Sequence, residues 1–354
     1  MAAFILLCRR ALTEDLAGFL RNANGCLPRM RKRSSTDRES RRASSAVVLC
    51  AGIAVVDFIF RVERFPTPST KTPTDEFLIT GGGCAANAAL AIARLGGAAR
   101  FAGPLGDDEL STHIVDGLKR AKVDIGAITR IRRAVTSVSG IFIDPTGERL
   151  LTTRRGSGLA TARPNDPARL VRGVHAVLAD NHFPEFVTPI CVAARETGLP
   201  VVLDVDKPAP LTDPLLALAS HAIFSAEALR QATAMDDFAR ALEQASRFCT
   251  GMVAVTDGTN GAFWREGVTL RHQPAFAVEA IDTLAAGDVF HGAFVLALAE
   301  GQEHTEALRF ASAAAALKCT RFGGIVGTPK RAEVRELLTA ARLMLGSSPQ
   351  ISRL

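Results

Sequence analysis

Residues 174–206 read VHAVLADNHFPEFVTPICVAARETGLPVVLDVD, and this stretch decides the architecture. Two short apolar runs rich in β-branched residues, VHAVLAD and LPVVLDVD, flank a helical segment, FVTPICVAARETG. An apolar run without polar alternation is what a strand covered on both faces requires. The pattern continues through HAIFS (221–225), the helical DDFARALEQASRF (236–248) and GMVAVTDG (251–258). Strands alternating with helices predict an α/β fold: a mostly parallel central sheet with helices on both faces, a three-layer α/β/α sandwich. In such a sheet ligands collect at the carboxyl ends of the strands. That makes Asp57, Asp180, Asp204 and Asp257 candidates, although an acid capping the next helix explains any one of them alone.

Working outward, AVVLCAGIAVVDFIF (46–60) reads as a long buried strand of the parallel sheet, ending at Asp57. The following RVERFPTPSTKTPTDEFLIT is broken by Pro66, Pro68 and Pro73 and reads as an excursion from that sheet. A second excursion is a hairpin, SVSGIFID and RLLTT around Asp144, Pro145, Thr146 and Gly147. The two predict a small separate sheet over about 58–80 and 136–154. Strand-like RFAGPLG and a helix near Asp107 to Lys122 continue the alternation, and the chain is helical from Ala286 through Leu345 with a break near TRFGGIVGTP.

Three segments carry chemistry. In IDTLAAGDVFHGAF (281–294), Ala285, Ala286 and Gly287 have little or no side chain, so a ligand can approach the backbone amides where a helix begins. Such an end suits a phosphate. Asp288, in the first turn, is placed to accept the proton of a substrate hydroxyl, although an acid there also serves the helix dipole. In GGGCAANAALAIARLGG (81–97) a triple glycine permits close backbone approach, and the Asn87 amide both donates to and accepts from hydroxyls. Gly81, Gly83 and Ala86 also fit a loose dinucleotide fingerprint, but no clean core strand precedes them. The loop Asp257-Gly258-Thr259-Asn260-Gly261 can present amides to a nucleotide phosphate, or simply turn a hairpin into AFWRE. The small-residue helix ASAAAALKCT with Arg321 to Gly324 offers a flat surface for an adenine ring, or is a tightly packed helix.

Composition excludes several classes. The chain has 354 residues and a net charge of +6, but residues 1–44 hold ten Lys and Arg against four acids, leaving 32 of each sign elsewhere. A neutral body lacks the footprint of nucleic-acid binding. No apolar run is long enough for a transmembrane helix. The seven cysteines show no CxxC pair, which argues for reduced thiols in a cytoplasmic protein and against a zinc site. The Ser/Arg-rich leader, 1–44, reads as disordered; it is expected to be a transit peptide, against which Glu14 and Asp15 count, or an upstream extension of the true start.

These pieces, in this order, resemble the ribokinase-like, or PfkB, family of carbohydrate kinases from about Val47 to Leu345. IDTLAAGDVFHGAF is similar to the family's C-terminal signature and GGGCAANAALAIARLGG to its N-terminal one. The runs HAVLAD, HAIFS, RHQPAF, DVFHGAF and ALKCTR are most similar to the sulfofructose-kinase-like branch, although Asn181 and His182 stand where an arginine would read a sulfonate. The resemblance implies a kinase domain over 45–345 with a tail at 346–354, ATP and Mg²⁺ as cofactors, a sugar as substrate, and a homodimer through a lid formed by the small sheet. It implies Asp288 as catalytic base, with Ala285, Ala286 and Gly287 as the anion hole. Asp57, Gly82, Gly83 and Asn87 fall at the sugar, with Lys71 and Asn181 as further substrate contacts. Thr256, Gly258, Gly261, Ser225 and Gly324 fall at ATP. Where many members have Asn-x-x-Glu, this chain has Ser225 to Ala228, so Glu227 is the nearest candidate for organising Mg²⁺; Asp282 is the candidate beside a monovalent cation such as K⁺. A nucleoside kinase and a non-catalytic sugar or nucleotide sensor are the alternatives on the same scaffold.

Overall fold

A computed structural model describes residues 46–74 and 76–346, with side chains to 343. The leader expected over 1–44 and residues 347–354 of the expected tail lie outside them. The strands are β1 (Val47–Ala51), β2 (Val55–Arg61), β3 (Glu76–Gly82), β4 (Ala98–Ala102), β5 (Pro104–Gly106), β6 (Thr129–Ile131) and β7 (Ser137–Ile143). They continue with β8 (Arg149–Arg154), β9 (Ala176–Asp180), β10 (Val201–Val205), β11 (His221–Ser225), β12 (Met252–Thr256), β13 (Ala262–Glu266) and β14 (Thr269–Gln273). The longer helices are α1 (Cys84–Arg94), α2 (Leu110–Arg120), α3 (Pro184–Glu196), α4 (Ala226–Thr233), α5 (Phe238–Ala245), α6 (Ala286–Ala299), α7 (His304–Cys319) and α8 (Arg331–Gly346).

Eight strands form the main sheet in the order β14-β13-β12-β11-β10-β9-β1-β4. β4 through β12 are parallel, and β13 and β14 add antiparallel at one edge. Successive residues of each parallel strand supply opposite cores. Val48, Cys50, Leu178 and Val202 pack with α1, α2, α6 and α7, whereas Leu49, Ala51, Val177 and Leu203 pack with α3, α4 and α5. This is why the strands read as continuous apolar runs. The three-layer α/β/α sandwich follows as expected. β1 lies between β4 on one side and β9 on the other, so the strand order reverses there and a crevice opens at their carboxyl ends.

The expectation of one strand from Ala46 to Asp57 is corrected. Gly52, at φ 151°, ends β1, and the chain re-enters as β2 in a different sheet. A Cβ at Gly52 would lie 2.0 Å from an Asp180 carboxylate oxygen, so the turn admits no side chain. Asp57 consequently sits within the small sheet, between Thr80 and Ser139, and not at a main-sheet strand end. That small sheet, β3-β2-β7-β8, draws on both expected excursions, with the hairpin turn at Asp144–Gly147. The C-terminal helical run has a further break that the sequence reading missed. Gly301, at φ 83°, separates α6 from α7. No helix among the described residues is long and apolar enough to cross a membrane.

α1 and α6 lie side by side because both are built from small residues. A Cβ on Gly292 of α6 would come within 2.8 Å of the Ala88 carbonyl oxygen and 3.1 Å of the Ala91 Cβ on α1. Gly292→Ala is expected to destabilise the fold by about 1–3 kcal/mol through overpacking. The check is a urea midpoint measured with an unchanged slope; no shift would mean the helices separate freely.

Candidate active site

The crevice is framed by the starts of α1 and α6 and the ends of β1, β9 and β10. Asp180, buried at the end of β9, ties three of these together. Its Oδ2 accepts from the amides of Ile53 (2.7 Å) and Ala85 (3.2 Å), and its Oδ1 from that of His182 (3.0 Å). Asp180 is therefore a positioning group: it seats the start of α1 against the exit of β1. Gly83 precedes that helix at φ 93°, where a Cβ would lie 2.8 Å from the Ile53 carbonyl oxygen and the Ala54 Cα.

Asn87, buried in the first turn of α1, donates from Nδ2 to Asp288 Oδ2 at 2.6 Å. Its Oδ1 is buried without a protein partner, an acceptor that a ligand hydroxyl could satisfy. Asp288 is half-buried in the first turn of α6. Burial lifts its carboxyl to about 6, opposed by the Asn87 bond and reinforced by the negative charge of Asp206. Asp57 is pushed up to about 7, first by burial and then by the Asp288 charge, while Ser139 pulls it down. Gly82 makes room for it: a Cβ there would lie 1.9 Å from Asp57 Oδ2. Two carboxylates thus share one polar wall with the Asn87 amide.

Ala285 caps α6 in the left-handed conformation, φ 62° and ψ 12°, which a side-chain-bearing residue adopts at a cost of order 1 kcal/mol. The Ala286 amide is shared with the Thr283 carbonyl at 3.3 Å, while Gly287 is exposed and a Cβ there would meet nothing within 4 Å. The structure therefore brings Asp57, Gly82, Gly83, Asn87 and the Ala285–Asp288 turn together.

Other expected residues are placed differently. Asn181 is buried, its Nδ2 donating to the Lys207 carbonyl (2.6 Å) and its Oδ1 accepting from the Lys207 amide (3.3 Å), so its amide is spent holding a loop. Lys71 is exposed in the connection between β2 and β3. The Ser225 hydroxyl caps α4 by accepting from the Ala228 amide at 3.2 Å. Glu227 is exposed and accepts from Gln231 on its own helix, and the position matching the acid of Asn-x-x-Glu is the buried Ala228, which has no oxygen on its side chain. Gly258, at φ 52°, has open space before it, as a phosphate-facing glycine would. Gly261 does not: a Cβ there would strike the Gln273 carbonyl oxygen at 2.2 Å, so its role is to let β14 pass. Thr256, at the end of β12, lies 3.5 Å from the Phe224 carbonyl oxygen. The Gly324 amide donates to Asp282 Oδ2 and is not free for a nucleotide.

Asp282 is also corrected. It is fully buried, and its partner is not a free ion but the ammonium of Lys318, 3.1 Å from Oδ2. Of the neighbouring residues, the sequence reading named His182 without giving it a role and did not single out Arg149 or His291. His182, not Asn181, faces the crevice, 3.8 Å from the Cys84 sulfur, 3.9 Å from Asp206 and 3.5 Å from the Arg155 guanidinium. Arg149, from β8, donates to the Thr283 carbonyl at 2.8 Å beside the α6 turn. His291 is buried with Nδ1 2.8 Å from the Gly287 carbonyl oxygen and 3.5 Å from Asp204, and burial lowers its pKa. Nothing local in sequence marks Arg149, because strand pairing brings it in.

Residues 45–331 match the model of the pfkB family of carbohydrate kinases. The chain belongs to that family. It is thus a phosphotransferase with an alcohol group as acceptor, and its relatives include ribokinases and an ATP-dependent ribose-1-phosphate kinase. A ribokinase of Bacillus subtilis is 28% identical over 291 residues, which covers 81% of this chain and 98% of the relative. A solved structure from Agrobacterium tumefaciens, carrying a provisional ribokinase assignment, superposes with a TM-score of 0.81 at 37% identity, covering 86% of this chain and 100% of that one. The Arabidopsis thaliana ribokinase, solved with ribose and ATP, gives 0.73 at 27%, covering 83% and 99%.

Proposed function

We propose that this pfkB-family chain transfers the γ-phosphate of ATP to a hydroxyl of a sugar or sugar derivative, a ketohexose, pentose or sulfosugar. The observation that carries the reading is the bond from Asn87 to Asp288 at 2.6 Å, set beside the open, side-chain-free Gly287. The sugar lies across Asp57, Gly82, Gly83 and Asn87, with one hydroxyl near Asp288. ATP lies along Thr256 and the Gly258 turn, with its terminal phosphate at the start of α6. The Arabidopsis ribokinase complex supports these two ligand classes.

Asp288 takes the proton as the hydroxyl oxygen attacks phosphorus, and the amides of Ala286 and Gly287 hold the charge that develops. Asn87 fixes the carboxylate so that its other oxygen faces the acceptor. Mg²⁺ supplies charge neutralisation on the phosphates when bound. Glu227, exposed at the start of α4, is the side chain that would help to order it.

A screen of ADP release over hexoses, pentoses, sulfosugars and nucleosides tests the proposal. Release that depends on a sugar is expected. Release only with nucleosides would make this a nucleoside kinase, and binding of ADP without release for any acceptor would make it a sensor.

The small sheet serves as a lid and as the contact with a second copy. Its outer face carries a stacked aromatic row, Phe58, Phe60, Phe77 and Phe142, with Ile79 and Leu150 beside it, and Phe77 is 50% exposed. An apolar face of this kind marks a protein contact. Phe77→Asp is expected to leave a monomer where the wild type sediments as a dimer. A monomeric wild type in analytical ultracentrifugation would remove this assignment.

A further inference from the structure

Lys318 lies in the last turn of α7, and its side chain is fully buried. A buried ammonium is costly unless it is paired and hydrogen-bonded. Here Nζ donates to the Asp282 carbonyl oxygen at 2.7 Å and lies 3.1 Å from Asp282 Oδ2. The same carboxylate accepts from the amides of Leu284 (2.7 Å), Gly323 (2.9 Å) and Gly324 (2.8 Å). The Cys319 carbonyl oxygen in turn accepts from the amides of Ile281 (2.8 Å) and Asp282 (3.1 Å). The end of α7, the lead-in to α6 and the Gly323–Gly324 turn are thus knotted together around one positive charge.

A monovalent cation beside Asp282 would need these oxygens. It does not fit, because the chain's own ammonium already holds both the carbonyl and the carboxylate. We propose that Lys318 is a built-in replacement for a monovalent cation: it fixes residues 281–284 in the shape that presents the phosphate-binding turn, and so makes that site indifferent to K⁺. An alkali ion bound there would draw a carbonyl and a carboxylate oxygen together and add positive charge behind the phosphates. A tethered ammonium does the same without a separate binding event. The path to the turn is short. The Leu284 amide is bonded to Asp282, and Leu284 is followed by the left-handed Ala285 that opens α6. The inference rests on the reading of Ala285–Gly287 as the phosphate-holding turn.

The test compares the full chain in potassium, ammonium and tetramethylammonium chlorides at equal ionic strength, with melting temperature and calorimetric ADP affinity as readouts. Wild-type ADP affinity should be the same in all three salts. Lys318→Ala empties the place of the ammonium. In tetramethylammonium it should lose roughly 10–100-fold in ADP affinity, the scale for removing a support of a ligand site. Potassium or ammonium, small enough for the vacated space, should restore both affinity and melting temperature. A merely structural lysine would give a loss indifferent to the cation. That result, or a wild type that binds ADP more tightly in potassium, overturns the proposal. If Lys318→Ala does not fold, Lys318→Met combined with Asp282→Asn removes both charges together; it should fold and bind ADP weakly in every salt, and wild-type-like affinity there also overturns it. A wild type that binds no ADP in any salt would sink the phosphate-turn reading itself, a pattern distinct from the others.

Discussion

Asp288→Asn protein should phosphorylate its sugar more slowly than wild type by a factor on the order of 10²–10⁴, the range for a positioned general base. ADP affinity and melting temperature should change little. The substitution keeps shape and an oxygen able to accept the Asn87 bond, so what is lost is the capacity to take a proton. A turnover near wild type in the folded variant would refute the assignment. The same carboxyl sets the pH dependence. Burial raises it to about 6, and only its ionised form is a base, so kcat/KM should fall as pH drops through about 6. Below that the loss approaches about tenfold per pH unit. Asp57, at about 7, feels the Asp288 charge, so the acid limb belongs to the pair. An acid limb near 4, the ordinary carboxylate range, would mean that Asp288 is solvated during turnover.

Gly82→Ala is the second large effect. Its new Cβ would stand 1.9 Å from Asp57 Oδ2, far inside contact distance, so the carboxylate must leave its place. Gly82 pairs with Val55 across the small sheet and Asp57 pairs with Thr80, so the backbone on both sides is held and the side chain has to yield. Misplacing a substrate-orienting group by about 1 Å costs on the order of 10²-fold. The loss should appear mainly as a raised KM for the sugar, with ADP affinity retained, because the proposed nucleotide residues, Thr256 and Gly258, lie on other elements than Gly82 and Asp57. An unchanged sugar KM would show that Asp57 does not hold the substrate.

Much of the candidate site was legible because the residues that could do its chemistry are adjacent in the chain. Small residues at a helix start, followed by a carboxylate, carry their meaning locally in Ala285 to Asp288, as do the glycines before Asn87. The readings that failed depended on where a side chain points. Asn181 stands at the crevice but spends its amide on Lys207, while its neighbour His182 faces inward. Gly261 and Gly324 share the glycine signal of Gly258, yet one lets a strand pass and the other donates to Asp282.

The alternation of apolar runs and helical segments by itself determined the three-layer architecture, because both cores demand apolar residues at every strand position, and the two signature segments pointed to the family. The same alternation placed the candidate site at the carboxyl ends of the parallel strands. Only the tertiary structure decided that the run from Ala46 splits at Gly52, since the cause is the Asp180 carboxylate, 128 positions further along the chain, occupying the space of a side chain. Only it could show that Lys318 ends beside Asp282. A buried charge is stable only where a distant partner meets it, and that meeting depends on how α7 packs, which no local pattern encodes.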